Sequence, residues 1–158
     1  MGICVGYLPP SNSSRANQTQ EFFDTLKSLI IDNYHLGPFL ICGDFNARCG
    51  NFPDISSDSV PKRAAIDLTV NQAGRELTDT LRALQLCILN GRFSNANDGF
   101  TSVSTKGMAV VDYFLCPTDH FGMFNKFEVQ DPLDIININN IPIDSKIPDH
   151  RILTISVK

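Results

Sequence analysis

The stretch Phe39-Leu40-Ile41-Cys42-Gly43-Asp44-Phe45-Asn46 holds the key to the fold. It opens on a continuous apolar run of strand length, the pattern of a strand buried on both faces. Gly43 breaks the run, and Asp44 emerges at its end. Alternation along an extended chain then puts Asp44 and Asn46 on one side and turns Phe45 to the core. A carboxylate beside a carboxamide suits a hard cation and a bound water. An ordinary Asp-Asn turn after a strand is the competing reading of the same residues.

Toward the N-terminus, Ile3 to Leu8 reads as a short strand stopped by Pro9-Pro10. Asn17 followed by Gln20 is a capping pattern. Phe22, Phe23, Leu26, Leu29, Ile30 and Tyr34 then recur at helical spacing until Gly37-Pro38 ends the helix. In the other direction, Ala47 to Lys62 is a long loop rich in Gly, Asn, Pro, Ser and Asp, and Asn71 caps a second helix carrying Leu77, Leu81 and Leu84. Strands follow: Cys87 to Leu89 closed by Asn90-Gly91, Phe100 to Val103 after the Asn97-Asp98-Gly99 turn, and Ala109 to Cys116. Phe124 to Gln130 and Arg151 to Val157 alternate as further strands, whereas Asp131 to Pro148 carries no assignable pattern. Early alternation of strand and helix that gives way to a run of strands fits a layered α/β sandwich, two β sheets flanked by helices.

Composition bounds the rest. The 158 residues are 42% hydrophobic and 19% charged, as expected for one soluble domain over residues 1–158. Lys and Arg number 13 against 17 Asp and Glu, a net charge of -4, and the pI is about 5.2, so a polybasic coat for DNA is excluded. Any nucleic-acid contact is local. No run of about 18 apolar residues and no basic leader occur, which argues against a membrane span or a secretory signal. The five cysteines are odd in number, and Cys4, Cys42, Cys87 and Cys116 lie in or beside apolar runs, as reduced thiols do. The expectation is an intracellular protein without disulfides, nuclear if it acts on chromosomal DNA.

Two further segments carry chemistry. In Val110-Val111-Asp112-Tyr113-Phe114-Leu115 a lone carboxylate interrupts a run that otherwise favours burial, and a buried charge needs a partner. Pro148-Asp149-His150-Arg151 offers one: Asp149 can turn to a metal while His150 turns toward Asp112. A solvated turn is the competing reading of an isolated Asp-His pair.

Taken together, Gly43-Asp44-Phe45-Asn46-Ala47-Arg48, Gly99-Phe100-Thr101, Val111-Asp112-Tyr113 and Asp149-His150 resemble, in order and spacing, the endonuclease/exonuclease/phosphatase superfamily. Tyr7-Leu8-Pro9-Pro10-Ser11 and Asn90-Gly91-Arg92 bring the resemblance closest to the apurinic-type endonuclease domain of non-LTR retrotransposons. The resemblance runs over nearly the whole chain. It implies hydrolysis of a DNA phosphodiester with Mg²⁺ or Mn²⁺ as cofactor. It also implies roles: Asp44 aligns and activates the attacking water, Asn46 contacts the scissile phosphate, and His150, held by Asp112, does likewise. Asp149 is then a metal ligand, Tyr7 a phosphate-binding hydroxyl and Thr101 a substrate-surface residue.

Two departures accompany it. The superfamily's metal-binding glutamate comes from strands that would precede Tyr7, and Glu21, Glu76 and Glu128 do not fit the vacancy, so the chain reads as an N-terminally truncated gene product or a fragment of a decayed element. Pro148 stands where the family commonly has serine, removing a hydroxyl and a backbone donor. Beside the nuclease reading stand a catalytically dead remnant, a nucleic-acid or protein binding module of the same fold, and a phosphatase of small phosphoesters.

Overall fold

The computed structural model describes residues 1–14, 18–56, 59–94, 98–139 and 147–158. Its centre is a four-stranded sheet in the order β1-β2-β6-β3, built from β1 (Gly2–Tyr7), β2 (Phe39–Asp44), β3 (Leu86–Ile88) and β6 (Asp112–Pro117). Strands β1 and β2 run parallel, joined by the crossover helix α1 (Thr19–Asn33); β6 is antiparallel to both β2 and β3. Two smaller antiparallel pairs complete the strands: β4 (Ser102–Ser104) with β5 (Gly107–Ala109), and β7 (Phe124–Gln130) with β8 (Ile152–Val157). The result is the expected α/β layering of sheets flanked by helices.

Alternation along β6 divides the core into two layers. Tyr113 and Leu115 point to one face, where Ile41, Leu86 and Ile88 meet Phe23, Leu26 and Ile30 of α1 and Leu77 and Leu81 of α2 (Gln72–Ala83). Phe114 and Cys116 point to the other, where Leu40, Cys87 and Leu89 meet Phe124, and Phe114 packs edge-on against Phe127 of β7 at 6.1 Å. Phe45, the residue read as core-facing, is fully buried.

Several elements depart from their sequence reading, each for a local reason. Gly43 does not end β2: it sits at φ 148°, in register with Gly6, and a Cβ there would lie 1.8 Å from the Gly6 carbonyl oxygen, so the strand continues only because this residue lacks one. The run Ala109 to Cys116 is not one strand. It bends at Val110-Val111, whose N–H groups leave the ladder for the Asp67 carboxylate and the Thr101 hydroxyl. Leu29, placed on the buried face of α1, is instead 49% exposed. Within Asp131 to Pro148 lies a helix, α3 (Pro132–Ile138), with the Asp131 side chain accepting from Leu133 N–H and proline in its first turn. Asn17 and Asn97 lie outside the described residues, so the capping pattern and the turn read there stay expectations.

Asp54 closes the β3 edge of the main sheet. Its Oδ2 accepts from the outward-facing Ile88 N–H at 2.7 Å, and both its oxygens take the Arg92 Nη2 at 2.6 and 2.7 Å. Arg92 spends its other donors on the carbonyls of Ile88 and Pro61. Arg63 Nε stands 3.9 Å from the same carboxylate. A strand edge is thus covered by a loop whose anchor is a buried ion pair. Strand β1, at the other end of the sheet, carries exposed side chains: Ile3, Val5 and Tyr7 are 66%, 76% and 61% exposed.

Because a buried guanidinium stripped of its carboxylate is costly, Asp54→Ala is expected to lower the unfolding free energy by about 3–5 kcal/mol, with exposed Thr25→Ala staying within about 0.5 kcal/mol. Urea denaturation followed by circular dichroism measures both, and a loss at Asp54 no larger than that at Thr25 would refute this account of the edge.

Candidate active site

The site forms where β2 ends and β6 begins. The antiparallel register sets Asp44 directly opposite Asp112, an arrangement of like charges that destabilises a sheet unless something lies between them. The bridge Ser102↔His150 lays the turn before β8 against β4 and delivers His150 to this gap. Its Nδ1 stands 3.1 and 3.0 Å from the two oxygens of Asp112. An ionised carboxylate can only accept, so in this arrangement Nδ1 is the nitrogen that donates to Asp112 and Nε2 is left for another partner. Asp44, Asp112 and His150 each offer a ligand atom within 4.8 Å of the others.

Asp44 is held by its own turn. Its Oδ1 accepts the Asn46 N–H at 2.9 Å and its Oδ2 the Asn46 carboxamide at 3.1 Å; the same carboxamide nitrogen donates to Leu8 O at 2.8 Å. Asn46 adopts φ 44°, so the two polar side chains share a ledge through a left-handed turn and not through strand alternation. Burial, reinforced by the facing charge of Asp112, raises the Asp44 carboxyl above its ordinary value, although both hydrogen bonds from Asn46 and the nearness of His150 pull the other way.

Asn71 and Asn90 support this ledge, and the sequence reading gave neither a role in the site. Asn71 caps α2 by accepting from Gly74 N–H, and the same side chain accepts from Arg48 N–H and donates to Asn46 O, fixing the backbone just after the ledge. Asn90 donates to Asp112 O and accepts from Phe114 N–H. The signals were present as a helix cap and as an Asn-Gly turn, but nothing local says what such side chains reach across the fold.

The remaining candidates are distributed as follows. Tyr7 is Asp44's register partner on β1, on the same face, and is exposed. Asp149 is exposed at the turn, with its carbonyl accepting from Val103 N–H, and its carboxylate lies outside the cluster of three. Thr101 departs from expectation: it is fully buried, so it presents no surface to a substrate, and its Oγ1 accepts from both Val111 N–H and Asp112 N–H.

A family model described as endonuclease-reverse transcriptase matches residues 1–131. No curated protein matches the chain. Among solved structures it is similar to a 3'-5' exonuclease, NExo, from Neisseria meningitidis, at TM-score 0.61 and 14% identity over 98% of this chain and 60% of that one. It is similar to the endonuclease domain of TRAS1, a telomere-specific non-LTR retrotransposon, at TM-score 0.59 and 19% identity over 98% of this chain and 57% of that one. An AP endonuclease from Archaeoglobus fulgidus gives TM-score 0.61 and 13% identity over 98% and 60%. At these identities the likeness shows the fold alone, and the chain spans at most 60% of the length of these relatives.

The raised Asp44 carboxyl has a consequence for stability. When the folded-state value exceeds the unfolded one, the group's contribution is intact below the unfolded value and is lost as pH rises through the folded one. At neutral pH ionised Asp44 therefore strains the fold, and Asp44→Asn, which mimics the protonated acid and keeps an acceptor for Asn46 N–H, is expected to melt at higher temperature than the parent. Thermal melts at neutral and acid pH test this: the gain must shrink as pH falls, and a variant less stable than the parent at neutral pH would refute it.

Proposed function

The chain belongs to the endonuclease-reverse transcriptase family, and from that membership we propose that it is a divalent-metal-dependent phosphodiester hydrolase that cuts DNA, an endonuclease of the retrotransposon type. The observation that carries this reading is the meeting of Asp44, Asp112 and His150 at one end of the sheet. One relative of the same fold is a 3' phosphatase bound to a product DNA hairpin, which favours DNA as the substrate here.

The donor set fits a hard divalent cation: two carboxylates face one another across the strands, and the facing charge of Asp112 adds to the cost of ionising Asp44. Asp149, beside His150, is the proposed ligand of Mg²⁺ or Mn²⁺, and Asp44 and Asp112 would add carboxylate oxygens to it. Such an ion, when bound, supplies Lewis-acid stabilisation of charge on the phosphoryl oxygens.

The other steps belong to the chain itself. Asp44, fixed by two donors from Asn46, orients the attacking water and takes its proton. Asp112 holds the imidazole by Nδ1, so that a protonated Nε2 donates to the phosphate as negative charge builds on it. Asn46 fixes Asp44 and lies beside the phosphate, and the exposed Tyr7 hydroxyl binds a flanking phosphate on the same face.

Plasmid nicking in the presence of Mg²⁺ tests the proposal. Asp44→Ala and His150→Ala are each expected to reduce the rate about 10²–10⁴-fold, the usual worth of positioned proton transfer, and chelation is expected to abolish it. Nicking that survives Asp44→Ala or chelation would refute the assignment. Salt-dependent DNA binding without cleavage would instead indicate a binding module, and hydrolysis of small phosphoesters alone a phosphatase.

A further inference from the structure

Thr101 is a buried polar residue that touches both halves of the site. At the entry to β6, Val111 N–H and Asp112 N–H both reach its Oγ1, at 3.0 and 3.1 Å. From the turn that carries His150, Arg151 N–H donates to its carbonyl at 2.8 Å. Its own N–H closes the base of the β4–β5 hairpin on Ala109 O at 3.0 Å. Two residues on, Val103 N–H in β4 donates to Asp149 O at 2.7 Å. The segments bearing Asp112 and His150 lie 38 positions apart, yet each leans on this single residue from an opposite side.

We infer that Thr101 is a positioning residue that sets the register between Asp112 and His150, and through it the direction in which the imidazole presents Nε2. The chemical reason lies in what the hydroxyl replaces. Where the chain bends at Val110-Val111, two consecutive N–H groups turn away from the sheet, and a hydroxyl with two lone pairs is an acceptor that can serve both in so small a space. Just past the bend, Asp112 stands in register with Asp44 and its carboxylate meets His150. A methyl group at the same place would fill the volume and leave both N–H groups without a partner. The backbone carbonyl of the same residue then sets the height of the turn holding His150, so a shift of Thr101 would move both partners of the imidazole pair. The contribution to turnover rests on the proposed hydrolase reading; the contribution to geometry does not.

Thr101→Val removes the acceptor at nearly constant volume, and Thr101→Ser retains it. In the unaltered protein, hydrogen exchange read by NMR is expected to show the Val111 and Asp112 amides protected. In Thr101→Val, with near-UV circular dichroism unchanged, that protection falls and the imidazole ¹⁵N shifts of His150 move toward those of an unpaired ring, while Thr101→Ser keeps both signals. In the nicking assay Thr101→Val is expected to lower kcat about 10–100-fold, as for an angstrom-scale misplacement, with KM nearly unchanged, and Thr101→Ser to recover most of it. Unprotected amides in the unaltered protein would overturn the inference, whether or not any variant folds. So would Thr101→Val with the parent's His150 shifts, or equal effects of serine and valine. Absence of nicking by the unaltered protein, with the NMR signatures as expected, would instead count against the hydrolase reading alone.

Discussion

Two carboxylates set face to face across neighbouring strands form the arrangement around which this molecule is organised. Asp44 and Asp112 are register partners, in the geometry where side chains approach most closely and like charges repel. A protein selected for stability alone would place a hydroxyl or an opposite charge at one of these positions. Here the repulsion is retained and managed. Asn46 directs two donors at one carboxylate, and His150 lies against the other. Burial still lifts the Asp44 carboxyl, so the compensation is partial. A site left short of positive charge is one that a cation, or the imidazolium as its proton arrives, completes.

The surrounding fold holds that arrangement in place largely with backbone and neutral side chains. Gly43 lets β1 come close enough for Leu8 to take the Asn46 carboxamide. Asn71 ties the loop after the ledge to the start of α2, and Asn90 ties the start of β6 to the end of β3. The charged clamps lie further off. Arg48 grips Asp67 at 2.8 and 2.7 Å, and Asp67 in turn accepts from Val110 N–H. Burial acts to raise the Asp67 carboxyl, but the Arg48 guanidinium and the Val110 and Thr69 amides outweigh it and hold it below the usual carboxylate range. Unlike Asp44, Asp67 is a satisfied carboxylate, and the contrast between the two separates the site from the scaffold.

How much of this the sequence disclosed depends on the range of the interaction. Period-two and period-3.6 patterns are local, so α1, α2, β2, β7 and β8 were legible to within a residue or two, and Phe45 read correctly as core. Asp112 was legible as a carboxylate in need of a partner, and the Asp-His dipeptide just before the last strand, whose side chains can diverge, supplied His150 as that partner. What failed was non-local or stereochemical. Gly43 reads as a breaker because glycine usually is one; that it serves the close approach of Gly6 needs the register of two strands. The bend at Val110-Val111 is invisible in an apolar run. The Asp131-Pro132 start of α3 was a usable signal that the surrounding Ile and Asn residues obscured.

Thr101 shows why a motif can be located correctly and its role misjudged. The family resemblance implies a threonine on the substrate surface, where a hydroxyl costs less than in a core. Burial reverses the inference: a hydroxyl kept in the core must be hydrogen-bonded, and its partners then identify its role. Here those partners are the backbone of Asp112 itself, so the residue acts on the chemistry without facing it. The same reasoning ranks the exposed candidates. Tyr7 and Asp149 are exposed, whereas the half-buried position of Asp44 imposes a cost on it. Of the candidate residues, Asp44 is thus the one whose presence a purely structural account explains least.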